Sequence, residues 1–142
     1  MGYTITATIK LPFAETVERV RTALADQGFG IQTEIDVHRT FEHKLGADAA
    51  DAVGNYLILG ACNPSLAHRA IAAEPQIGAL LPCNVIVGHG ETAGTRIVEA
   101  LDPQTMVQLS GTPALRELAD QAGARLRAAL ETTQTDAVRS TG

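Results

Sequence analysis

The sequence has no tryptophan, and its only aromatics are three Phe and two Tyr in 142 residues. A platform for stacking unpaired bases needs several exposed rings, so that mode of nucleic-acid binding is excluded. Basic runs are missing as well. Eleven Lys and Arg are scattered among sixteen Asp and Glu, for a net charge of −5. This balance favours solubility and gives a phosphate backbone no surface to bind. No apolar run approaches the roughly 20 residues that span a bilayer, so no membrane partner is expected. The opening MGYTITATIKLP lacks the basic segment and apolar stretch of a secretory signal. With only two cysteines and no export signal, the expectation is free thiols in a reducing compartment, the cytoplasm. There is no GxSxG, P-loop, dinucleotide fingerprint or CxxC pattern.

Apolar residues make up 45% of the chain, enough for one core. A single α+β domain is predicted over residues 1–131, followed by a polar, disordered tail over 132–142. Tyr3, Ile5, Ala7, Ile9 and Leu11 alternate with Thr4, Thr6, Thr8 and Lys10, the period of a half-buried, antiparallel strand. Pro12 ends that strand, and Phe13, Val17, Val20 and Leu24 then recur at helical spacing until Gly28 closes the helix. A second strand is expected from Gly30 to Val37, a helical or irregular piece from His38 to Gly46, and a loop from Ala47 to Asn55. Tyr56–Ala61 reads as a buried strand. Asn63 as cap and Pro64 as first helical residue start a short helix that Pro75 ends. Cys83–Val87 and Thr95–Leu101 form the next strands, joined by a Gly-rich loop. A long final helix begins at Thr112-Pro113, with Leu115, Leu118, Ala119, Ala122, Leu126, Ala129 and Leu130 in one stripe. Strands and long helices grouped in this way indicate an antiparallel sheet with helices on one face.

Several stretches resemble a bacterial and archaeal family, domain-of-unknown-function family 302. They include Phe13-x-Glu15-Thr16-Val17-Glu18, the Gly28-Phe29-Gly30 turn, Thr33-Glu34-Ile35-Asp36-Val37 and Lys44-Leu45-Gly46. The most diagnostic are Leu59-Gly60-Ala61-Cys62-Asn63-Pro64 with Leu66-Ala67-His68-Arg69-Ala70, and Leu80-Leu81-Pro82-Cys83-Asn84-Val85. Ala100-Leu101-Asp102-Pro103 precedes the last helix in the expected place. The resemblance implies a TATA-box-binding-protein-like β-α-β4-α fold, with two long helices on one face of an antiparallel sheet and a short inserted helix. It also implies a homodimer. It implies no nucleic-acid role, because a fold does not carry function, and the family has no agreed activity from which catalytic residues could be taken. The Ala-rich stretch Ala47–Gly54 is longer than the family pattern.

The residues able to do chemistry gather around the two cysteine motifs. Cys62 precedes the helix cap Asn63, near the positive end of a helix dipole, a placement that favours thiolate. The same position also suits a small, buried, inert hydrophobe. His68 lies in the same helix, and Cys83 begins a strand that would bring it near Cys62 if the two strands are neighbours. Cys62, His68 and Cys83 are therefore the candidate ligands of a soft metal ion, although Cys62-x5-His68 with a distant Cys83 is not a zinc spacing. Asn63 and Asn84, each following a cysteine, complete the candidate ligand-binding or redox set. His38, His43 and His89 read as surface residues, and Glu15 and Glu18 as charges of a first helical turn.

Three functions compete: a binding module for a small molecule or soft metal, a thiol enzyme using Cys62 with His68 as base, and a homodimeric interaction protein whose cysteines merely pack.

Overall fold

The computed structural model of the protein describes the backbone of residues 2–141 and the side-chain surroundings of residues 2–134. Met1 and Gly142 lie outside the described residues, as do the side chains of the last part of the expected tail.

Five strands, β1 (Thr4–Ile9), β2 (Gly30–Asp36), β3 (Leu57–Cys62), β4 (Cys83–His89) and β5 (Arg96–Leu101), form one sheet in the order β1-β5-β4-β3-β2. Every neighbouring pair is antiparallel. The register places Ala7, Val98, Val87 and Leu57 in one row across the sheet, and Ile5, Ala100, Val85 and Leu59 in the next. These residues face α1 (Phe13–Asp26) and α6 (Arg116–Thr141), which contribute Val17, Val20 and Leu24, and Leu126, Ala129 and Leu130, to the same core. A fully buried Leu24 or Leu126 stabilises the fold by roughly 1.5–3 kcal/mol. The expected alternation holds from Ile5 to Leu11, with Thr4, Thr6 and Thr8 pointing from the opposite, uncovered face, but Tyr3, expected on the core side, precedes the strand and is exposed.

The end of α1 follows from its sequence. Gly28 takes φ +85° and its N–H donates to Ala25 O, while the N–H of Phe29 donates to Leu24 O at 2.9 Å. Both bonds of a Schellman cap are thus made, and a side chain at Gly28 would be strained. β2 is an edge strand whose Gln32, Glu34 and Asp36 discourage further pairing. Its Glu34 is tied to Arg21 of α1.

Three elements differ from the expectation. The segment after β2 is a pair of helices, α2 (Val37–Leu45) and α3 (Ala47–Val53), where the second had been expected as a loop. Asp36 Oδ1 caps α2 through the N–H of Arg39 at 3.0 Å, and Gly46 at φ +93° lets the chain turn and restart. The run ADAADAV then forms a helix because alanine is the best helix former and Ala50 is fully buried. A further helix, α5 (Gln104–Ser110), lies between Pro103 and the left-handed Gly111 in a stretch given no element from sequence. Finally, α6 does not stop at Glu131. Thr133 is buried, and its hydroxyl donates to Ala129 O at 2.9 Å, so the polar letters of the expected tail hide a continuing helix. No helix among the described residues is long and apolar enough to cross a membrane.

Candidate functional site

β3 ends at Cys62 because Asn63-Pro64 begins α4 (Pro64–Ala73). Proline fixes φ at the first helical position, and Asn63 Oδ1 accepts the otherwise orphaned N–H of Leu66 at 3.2 Å. The register pairs Ala61 directly with Cys83, so Cys62 lies one step along β3 from the residue opposite Cys83. The two cysteines, 21 positions apart in sequence, are thereby neighbours at one end of the sheet. Gly60 is needed here: a Cβ would press Thr33 Oγ1 and come within 2.8 Å of Pro82 Cγ.

Both cysteines line a cavity of about 60 Å³ beside this end of the sheet. Ala61, Cys62 and Cys83 supply the sheet wall, and Leu81 and Pro82 the strand approach. The opposite walls come from α4 (Leu66, Ala67, Ala70), from Ile77 in the short 3-10 helix Pro75–Leu80, from Met106 of α5, and from the start of α6. The space exists because five alanines, Ala61, Ala67, Ala70, Ala119 and Ala122, stand where larger apolar residues would fill it. The helical stripe of α6 therefore serves two purposes. Leu126, Ala129 and Leu130 cover the sheet, whereas Leu118 and Ala122 join Leu66, Ile77 and Leu115 in a second cluster around the cavity.

The two thiols differ in burial. Cys83 is buried, and burial, reinforced by the neighbouring Cys62, pushes its pKa from an ordinary 9.0 up to about 11. Its thiol keeps its proton near neutrality and is a poor nucleophile there. Cys62 is only half-buried.

The predicted set is brought together in part. Cys62, Asn63 and Cys83 all line the cavity. His68 does not: one face of α4 holds Leu66 inward, leaving His68 and Arg69 exposed, and His68 is absent from the cavity wall. The expected metal triad Cys62–His68–Cys83 is thus not assembled. No group of three His, Cys, Asp or Glu among the described residues could hold a metal ion. Asn84 is also outside the cavity. It follows Cys83 in the strand, pairs with Gly60, and is exposed on the uncovered face. His38 approaches Asp51 at 3.5 Å, and His89 accepts a hydrogen bond from the N–H of Asn55 at 3.3 Å; both have local structural partners. Sequence reasoning missed Met106, although Asp102-Pro103 before it is a usable helix-start signal. Asp102 Oδ1 accepts the N–H of Gln104 at 3.0 Å.

A family model described as "Domain of unknown function DUF302" matches residues 5–133. Among solved structures the chain is similar to the uncharacterized conserved protein DUF302 from Bacillus stearothermophilus. The two share 27% sequence identity with a TM-score of 0.80, over 93% of this chain and 98% of that one. No curated protein matches the chain.

Proposed function

The chain belongs to the family of domains of unknown function DUF302, and from that premise we propose that it is a binding module whose ligand occupies the cavity between the sheet end and helices α4, α5 and α6. The carrying observation is that both cysteines of the chain and the cap residue Asn63 meet on this one cavity. Its size restricts the ligand. Drug-sized molecules fill roughly 300–1,000 Å³, whereas about 60 Å³ takes a species of a few atoms, or one end of a larger molecule. Two free thiols suit the reducing interior of a cell.

The thiol-enzyme reading has less support. It assigned His68 as base, and that side chain is exposed and away from the cavity. The interaction reading has one observation in its favour. On the sheet face that α1 and α6 leave uncovered, Ile35, Ile58 and Ile86 form a cross-strand apolar row that a second copy of the chain would cover. The finer fold assignment, TATA-box-binding-protein-like, draws on the order of one strand, a long helix, four strands and a long helix.

Native mass spectrometry of the full chain, purified without chelator, tests the binding reading against Ala119→Leu and the milder Ala67→Val, both of which fill the cavity. A bound species present in the parent and lost from a folded variant supports it. The same added mass in all three, or none in any, overturns it.

A further inference from the structure

The cavity between the sheet end and α4, α5 and α6 is almost without polar groups. Asn63 is the one wall side chain that carries an oxygen or a nitrogen. Its Oδ1 accepts the N–H of Leu66, and its Nδ2 stands 3.0 Å from where a Cβ on Gly28 would lie. Cys83 keeps its proton near neutrality and packs as a small hydrophobe. We propose that the cavity takes the end of a saturated hydrocarbon chain, the tail of a free, single-chain amphiphile. The proposal rests on reading the cavity as a binding site and names its ligand.

Chemistry and size select this ligand. A charged or hydrogen-bonding group inside the cavity would lose its water and meet no free side-chain partner on the wall. Methyl and methylene groups lose no hydrogen bond there and gain by leaving water. An apolar cavity of about 150 Å³ holds one benzene ring, so on the order of two or three carbon atoms fit in about 60 Å³. That is the end of a chain and not a whole lipid.

The surface of the walling helices extends the apolar path. Ile71 on α4 and Leu109 on α5, 44% and 68% exposed, are two of the five exposed large apolar side chains among the described residues. Ile71 lies one helical turn beyond the wall residue Ala67, and Leu109 one turn beyond Met106, so each adjoins a wall side chain on its own helix surface. α5, QTMVQLS, has no charged side chain to hold a head group. The carbons that follow the chain end lie over Ile71 and Leu109, and the polar head stays in water.

The test titrates the isotope-labelled full chain with propanol, butanol, hexanol and octanol, straight-chain primary alcohols, and follows amide chemical shifts. Saturable shifts are expected at Ala67, Ala119 and Ala122, with affinity rising by up to about fourfold per added methylene. The same series is run on Ile71→Ser combined with Leu109→Ser, exposed positions whose change keeps the fold. This variant should bind propanol as the parent does and lose most of the gain from butanol to octanol. No saturable shift at the wall residues overturns the proposal, and so does a variant that keeps the parent's full gain. In a second arm with phosphatidylcholine vesicles the parent should stay in the supernatant; co-sedimentation would overturn the assignment of a free ligand. If the alcohols fail while the cavity-dependent species in native mass spectra persists, the hydrocarbon assignment alone falls. If both are missing, the binding reading falls with it.

Discussion

Alkaline pH should destabilise this protein through a single thiol. In the folded chain Cys83 holds its proton until about pH 11, against an ordinary 9.0 for a thiol in water. Below about pH 9 the thiol is protonated in both states, and the stability that comes from burying it neutral is fully present. Between the two values the unfolded chain releases the proton and the folded chain keeps it. Stability therefore declines as pH rises and is lost by about pH 11. A difference of two pH units at about 1.4 kcal/mol each gives roughly 2–3 kcal/mol. With a urea m-value of roughly 1–3 kcal/mol per molar, the midpoint should fall by about 1–2 M. Other groups also titrate in this range, so the measurement is the difference in unfolding free energy between the parent and Cys83→Ala under reducing conditions. That difference should shrink as the pH is raised. Cys62→Ser should retain the larger part of the effect, because burial outranks the neighbouring thiol as its cause. A parent-minus-variant difference that stays flat from about pH 8 to about pH 11 would refute the assignment of Cys83 as a buried, proton-retaining thiol.

Three further outcomes test the packing around the site. Gly60→Ala should cost about 1–3 kcal/mol in urea unfolding, because its methyl meets the rigid Pro82 ring at 2.8 Å, and trimming Thr33 should not rescue it. Asn63→Ala should lose about 1 kcal/mol through the lost cap to Leu66, while Asn63→Asp keeps an accepting oxygen and most of the stability. Truncation after Glu131 should lower the melting temperature, because it removes buried Thr133 and the hydrogen bond from Gln134 to Thr8 O. An unchanged melting temperature would mean that this last stretch contributes nothing to the fold.

Periodicity made the sheet core, α1 and the stripe of α6 legible, because those elements bury one face against a single partner and the letters repeat accordingly. Asn63-Pro64 announced the start of α4 for a local reason, since both residues act on backbone groups within one turn. Elements without such a repeat escaped. The helical run ADAADAV has small residues all round, α5 is too short to show a period, and Thr132, Thr133 and Gln134 look like solvent-facing letters although Thr133 is buried.

At the candidate site the division is sharper. The chain itself determined that reactive side chains are few, that both cysteines sit at element ends, and that one precedes a helix cap, because composition and short-range spacing are properties of the string. Whether those thiols meet depended on which strands pair and in what register, a matter of contacts between residues far apart in the chain. Tertiary structure paired Ala61 with Cys83, turned His68 outward on α4, and brought Met106 in from a helix too short to show a period. A pocket is a void between elements, and its walls are fixed only when those elements pack.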